Sequence, residues 1–260
     1  MPTRTRIEWT EVTWNPVTGC DMTSAGCRNC YAKRFAARLK AMGQPRYQRD
    51  GKTGSSGSGF GITMHWDLVD QPERWRNPRL VFVNSMGDLF HPDITDNFIL
   101  AVFDTMQRCE RHTFQVLTKR SKRLAQLARK LHWSSNIWVG ASVENAEYRC
   151  RIDDLRQVPA SVRFLSFEPL LGPLEGIDLH GIQWVIVGGE SGPGARVLKP
   201  EWVLSIRDQC TKASVPFFFK QWGGRTPKAG GRTLEGRVWN EWPSRENQTY
   251  SIRASNAEQR

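Results

Sequence analysis

The chain has 260 residues, 37 Lys and Arg against 26 Asp and Glu, a formal net charge of +11, and six cysteines. That length suits one large domain or at most two, and it can bury a core without disulfide staples. Its longest apolar runs, such as Leu80 to Val83 and Val215 to Phe219, fall far short of the roughly 20 residues that cross a bilayer, which excludes a transmembrane helix. The N-terminal MPTRTRIEW carries charge but no apolar core segment, so the expectation is a cytoplasmic protein without a secretory signal. The positive excess favours a polyanionic partner, nucleic acid or nucleotide, over charge that serves solubility alone.

In chain order, a first strand is predicted within Ile7 to Trp14. A loop from Gly19 to Cys30 carries three cysteines, and a basic helix, Tyr31 to Met42, follows with Lys33, Arg34, Arg38 and Lys40. Residues 44–61 contain GKTGSSGSGFG, a flexible Gly/Ser loop by composition, either a lid or a tolerated insertion. From Leu80 onward, short β-branched or aromatic runs alternate with amphipathic stretches, the pattern of β-α units around a parallel sheet. The predicted strands are Leu80 to Met86, Thr113 to Leu117, Asn136 to Ser142, Val162 to Phe167, Gln183 to Gly188 and Val215 to Lys220. Between them, Thr95 to Cys109, Ser121 to Leu131, Glu144 to Gln157 and Pro200 to Cys210 have helical spacing, with Thr95 and Ser121 as caps and Pro200 in a first turn. After Gly224 the chain is rich in Arg, Gly and Trp. Residues 224–260 form a basic extension, either packed through Trp239 and Trp242 or partly disordered.

Such units close into a partial or near-complete (β/α) barrel of about six to seven parallel strands, or open into a doubly wound sheet; both place ligands at the C-terminal strand ends. The residues leaving the strands are Asn84, Ser85, Met86 and Asp88, then Thr118 and Lys119, Ser142, Glu144 and Asn145, Glu168, Glu190 and Lys220. Each is a candidate ligand contact, or a polar loop residue or ion-paired carboxylate of no special role.

Cys20, Cys27 and Cys30 form C-x6-C-x2-C, while Cys109, Cys150 and Cys210 are scattered and read as small core residues. Three thiolates in one loop can ligate three corners of a metal centre, with no local fourth ligand. Structural zinc normally has four protein ligands, so a zinc ribbon does not fit. A catalytic zinc with an open position is possible, and soft thiolates alone suit an iron-sulfur cluster better. His65, His91, His112, His132 and His180 are dispersed and no H-E-x-x-H is present, which argues against a zinc hydrolase.

The run TGCDMTSAGCRNCYAKRFA resembles the cluster loop and first helix of the radical S-adenosylmethionine (SAM) superfamily. With VFVNSMGDLFHPDI, VLTKR, WVGASVEN, FLSFEPLLGPL, VIVGGESGPGAR and FFFKQWGG, the chain resembles a phage-associated branch of radical SAM-like proteins, distantly similar to spore photoproduct lyase, from about Trp9 to Gly224. Most of the superfamily has C-x3-C-x2-C with an aromatic residue before the third cysteine; here six residues intervene and Asn29 holds that place.

The resemblance implies a radical SAM-like β/α barrel domain over residues 1–223. In it, Cys20, Cys27 and Cys30 hold a [4Fe-4S] cluster whose fourth iron is chelated by SAM, and one electron from a cellular donor releases a 5′-deoxyadenosyl radical. It places Asn84, Ser85, Met86 and Asp88 at the SAM amino group, Thr118 and Lys119 at its carboxylate, and Ser142, Glu144 and Asn145 at the ribose. Glu168, Glu190 and Lys220 are expected to contact substrate. Basic runs at Arg28 to Arg49 and Lys119 to Lys130, with many tryptophans, suit phosphate contacts and base stacking. The expected reaction is modification, rearrangement or lesion repair of a nucleic-acid base or nucleotide. The alternative is a non-catalytic nucleic-acid-binding protein with a structural or sensory metal at the three cysteines.

Overall fold

The structure, a computed structural model, describes residues 3–226 and 228–243. Its strands are β1 (Thr3–Arg4), β2 (Val12–Trp14), β3 (Val17–Thr18), β4 (Thr63–Met64), β5 (Leu80–Val83), β6 (Thr113–Thr118), β7 (Ile137–Ser142), β8 (Val162–Phe167), β9 (Trp184–Gly188), β10 (Phe217–Gln221), β11 (Thr233–Leu234) and β12 (Arg237–Val238). The main sheet runs β1-β2-β5-β6-β7-β8-β9-β10. All neighbours from β2 to β10 are parallel, and the short edge strand β1 pairs antiparallel with β2. The seven parallel strands curl into a half-barrel, the partial-barrel form expected from the sequence.

A parallel sheet covered on both faces needs apolar residues on both, which is why its strands read as near-continuous hydrophobic runs; every residue of β7 is buried. On the outer face, residues such as Val81, Val83, Val116, Val139, Leu165 and Val187 pack under the helices from α2 (Asp96–Arg108) to α5 (Pro200–Lys212) and their connections, while α1 (Tyr31–Ala41) packs separately on Phe60 and Met86. The intervening helices are α3 (Ser121–Leu127) and α4 (Cys150–Arg156). On the inner face, Trp9, Phe82, Trp138, Phe164, Trp184 and Phe218 form a separate aromatic core. With side chains alternating along each strand, the same inner row continues upward to Ser142, Ser166, Gly188 and Lys220 at the C-terminal ends. An aromatic plug therefore closes the lower part of the half-barrel beneath a polar rim.

Several local expectations need correction. Thr95 does accept from Phe98 N at 3.4 Å, and Pro200 does open α5. Ser121, however, is not a cap; its hydroxyl donates to Asp154 at 2.7 Å. The stretch 144–157 is split into a short turn, capped by Asn145, and the seven-residue α4. Cys150 is exposed at the start of α4 rather than in the core, whereas Cys109 and Cys210 are buried. Trp9, Trp14, Trp138 and Trp184 are wholly buried, so those rings serve the core and not base stacking. The extension is packed as far as residue 243, with Trp239 against Phe217 and Trp242 stacked on Trp184 at 4.8 Å; positions 244–260 lie outside the described residues. Among the described residues no helix is long and apolar enough to cross a membrane.

Candidate metal centre

The three cysteines lie in the loop between β3 and α1, above the C-terminal ends of β5 to β7. Its start is fixed where Gly19 N donates to Met86 O at 2.9 Å and Gly19 bridges to Gly87 beyond β5. Gly19 has φ +88°, and a Cβ there would fall 2.3 Å from the Gly61 carbonyl oxygen, so only glycine fits. Gly26 lies directly on the Lys119–Glu144 pair, where a Cβ would come within 2.6 Å of Glu144 Oε1. The loop ends at α1, whose Ala32 and Ala36 pack against Met86 and Phe60, with Cys20 and Cys30 beside them.

Two chains of carboxylate, cation and sulfur converge on this loop. Asp88 accepts from Arg120 Nη1 at 3.0 Å, and the same nitrogen donates to Cys20 Sγ at 3.2 Å. Glu144, fully buried, pairs with Lys119, whose Nζ lies 3.8 Å from Cys27 Sγ. Arg151 at 2.8 Å and the Ser24 hydroxyl at 2.5 Å complete the Glu144 shell. Burial works to raise the Cys27 thiol, but the Lys119 charge and hydrogen bonds from Thr23 and Ser24 outweigh it, so the group lies below its ordinary value. At Cys20, burial and then the Asp88 carboxylate prevail over Arg120 and push the thiol up to about 12.

These contacts change the roles expected for several residues. Asp88 accepts from Phe90 N, Thr118 Oγ1, Lys119 N and Arg120 Nη1. Four donors saturate a carboxylate, which leaves no lone pair for a SAM ammonium. Glu144 is likewise enclosed by protein donors and does not face a ribose. Glu190 is held by Asn29 Nδ2 at 2.8 Å and by the backbone N, Nε and Nη2 of Arg196, which also donates to Ala25 O. It braces the cysteine loop and has little capacity left for substrate. Asn145 Oδ1 is used by Glu147 N, Ser85 Oγ donates to Asn15, and the Ser142 carbonyl accepts from Arg151. Glu168 and Lys220 do pair with each other, across Gly188, at the partly open rim.

His91, the histidine closest in sequence to the β5 loop, is buried with Nδ1 accepting from Asp93 N and Nε2 facing Asp21. Asp21 also receives Ser55, Ser56 and Lys52 from the Gly/Ser segment, which is thereby tied to the cysteine loop. A cleft of about 390 Å3 lies there, lined by Asp21, Lys52, Ser56, Thr63, Trp66 and Asp93 among others. Arg120, Ser24, Asn29, Arg151 and Arg196 were not singled out from sequence as site residues. Their signal was adjacency, since all but Arg151 stand inside the quoted motifs.

The residues fit an iron-sulfur cluster better than a single ion. Among the described residues, the one trio of His, Cys, Asp or Glu with ligand atoms all within 4.8 Å of one another is Asp21, His91 and Asp93. The three sulfurs are thus spread wider than the ligands of one ion, as corners of a larger group would be. The donor set is soft, and two sulfurs face cations able to offset thiolate charge. Asn84 Nδ2 and Ser166 Oγ, at the ends of β5 and β8, are buried without a partner among the described residues, leaving polar atoms for a further ligand.

The family described as "Protein of unknown function (DUF5131)" matches residues 4–243. No curated protein matches the chain. Among solved structures, spore photoproduct lyase complexed with dinucleoside spore photoproduct is similar at 13% identity and TM-score 0.47, over 73% of this chain and 58% of that one. A doubly substituted spore photoproduct lyase with bound AdoMet and dinucleoside spore photoproduct is similar at 12% identity and TM-score 0.47, over 72% and 58%. The chain spans 58% of the length of these structures.

Proposed function

We propose that this chain, which belongs to the DUF5131 family, is a radical SAM enzyme acting on a nucleic-acid base or nucleotide, by modification, rearrangement or lesion repair. The observation that carries the reading is the loop of Cys20, Cys27 and Cys30 at the C-terminal rim of a parallel half-barrel, with carboxylate-anchored cations facing two of its sulfurs.

A [4Fe-4S] cluster held by Cys20, Cys27 and Cys30, together with bound SAM, would supply one-electron cleavage of SAM and hydrogen-atom abstraction from the substrate. The chain's own part is positioning and electrostatics. Arg120 and Lys119 offset negative charge at Cys20 and Cys27, and Asp88 and Glu144 hold those cations in place. Asn84 Nδ2 is a donor, so it suits the SAM carboxylate rather than the amino group. Ser166 Oγ, buried without a partner among the described residues, is the neighbouring hydroxyl available to the cofactor. The aromatic plug excludes water from below. Glu168 and Lys220, a partly open ion pair that ligand polar groups can divide between them, are the substrate contacts we favour.

Replacement tests the cluster assignment. Anaerobic reconstitution of the wild-type chain should give about four irons. Cys20→Ala, Cys27→Ala or Cys30→Ala should each lose that iron, while Cys109→Ala, Cys150→Ala and Cys210→Ala keep it. Equal loss in both groups contradicts the assignment.

A further inference from the structure

The wholly buried tryptophans cannot stack on a substrate, yet one row of side chains beside the site can. Tyr31, Phe35, Arg38 and Met42 are the exposed positions at i, i+4, i+7 and i+11 from the start of α1, and so share one face. Tyr31 is 52% exposed, Phe35 48% and Met42 61%, while the opposite face of the helix is buried through Ala32 and Ala36. Tyr31 follows Cys30 directly. Its hydroxyl donates to Ser85 O at 2.7 Å, so the ring is pinned at its edge with much of its surface open. Across the mouth, Arg34 ties the same helix to Ser191 O and Pro193 O beyond β9. The row therefore starts at the metal centre and leads outward on a fixed support.

The surroundings are cationic. From residue 22 to residue 49 there is no acidic side chain, against Arg28, Lys33, Arg34, Arg38, Lys40, Arg46 and Arg49. Five of these are engaged within the protein: Lys33 with Ser55 O, Arg34 as above, Lys40 with Asp50, Arg46 with Asp67 and Arg49 with Ile62 O. The side chains of Arg28 and Arg38, both exposed, have no partner among the described residues. Two cations without carboxylates beside two open rings match the chemistry of a nucleic-acid strand, phosphate for Arg and base for ring.

We infer that the Tyr31–Phe35–Arg38 row is a docking surface for single-stranded nucleic acid, which leads a base to the metal centre. The two rings stand about 6 Å apart along the helix axis, wider than the roughly 3.4 Å step of a stacked strand, so they suit splayed bases and not an intact duplex. The inference names the substrate class of the site proposed above and rests on that reading for its chemistry. Binding, however, is measured without turnover.

The test is fluorescence anisotropy of a labelled single-stranded DNA oligonucleotide with the full chain, against the same sequence as duplex. Wild type should prefer the single strand. Phe35→Ala should weaken binding about tenfold, as loss of one base-aromatic stack does, with Phe35→Trp near wild type and Phe35→Leu as weak as the alanine variant. Arg38→Ala should lower the salt slope by about 0.7, and Lys212→Ala, at the C-terminal end of α5, should change nothing. Unchanged binding in Phe35→Ala and Phe35→Leu overturns the inference, as does equal affinity for duplex. A wild-type dimer that dissociates on Phe35→Ala would show that a second copy covers the row, and also overturns it. Iron content, read on the same samples, separates this outcome from a failure of the metal centre.

Discussion

Lys119 and Arg120 are neighbours in sequence, in the short turn between β6 and α3, yet serve different sulfurs. Lys119 turns to Glu144 and Cys27, and Arg120 to Asp88 and Cys20. Each cation is fixed by its own carboxylate before any ligand arrives, which spares the site reorganisation on loading. Glu144→Gln leaves Lys119 and Arg151 sharing a neutral partner in a buried place, and should cost about 3 kcal/mol in chemical denaturation. Gly26→Ala should act differently. Its Cβ would press on the Lys119–Glu144 pair, so overpacking costs about 1 to 3 kcal/mol and iron retention should fall with it. A Gly26→Ala protein with full iron content and wild-type stability would contradict the loop geometry.

At the level of elements, the cysteine loop is held by the Gly/Ser segment on one side and by Glu190 and Arg196 on the other. Asp21 is the tether to the first. Burial tends to raise its carboxyl, but Ser56, Lys52 and His91 bring it down from 3.8 to about 2. A carboxyl lower in the folded than in the unfolded state is protonated first in the unfolded one, so its stabilisation is complete above about pH 4 and lost as pH falls toward 2. At roughly 1.4 kcal/mol per unit, the tether contributes about 2.5 kcal/mol at most. Chemical denaturation should show wild type above Asp21→Asn by that amount at pH 6, with the gap shrinking at pH 3; a gap independent of pH would count against the tether.

The parallel strands were legible in sequence because burial on both faces leaves continuous apolar runs, and Val162–Phe167 matches its expected bounds residue for residue. The two-residue strands β1, β3 and β4 were not, since pairs that short carry no periodicity. The cysteine trio was legible from spacing. What spacing could not show is that Asp88, Glu144 and Glu190 are already occupied, because each takes at least one partner from far along the chain, Arg120 32 residues from Asp88, Lys119 25 from Glu144 and Asn29 161 from Glu190, beside the nearer Arg151 and Arg196.

Over the whole molecule, a net charge of +11 overstates what is available to a polyanion. In the basic run from residue 119 to 130, Lys119 and Arg120 face carboxylates and sulfurs, Arg123 binds His91 O, Ile94 O and Asp96, and Lys130 approaches Asp96. With Arg28 and Arg38 in the earlier run, only Lys122 and Arg129 here lack a side-chain partner among the described residues. Four such cations at about 0.7 each predict a log-log salt slope near −3 for a single strand. A flat response would point to a small uncharged substrate, and a slope near −8 to contacts beyond the two runs.

The half-barrel, its aromatic plug and the anchored cations all serve one claim, that three cysteines leave a metal corner open to SAM. The direct measurement is SAM cleavage by the anaerobically reconstituted, reduced full chain, with iron counted on the same sample. About four irons per chain together with release of 5′-deoxyadenosine is the predicted result. A colourless protein retaining zinc, or a fully loaded one that leaves SAM intact, would contradict it.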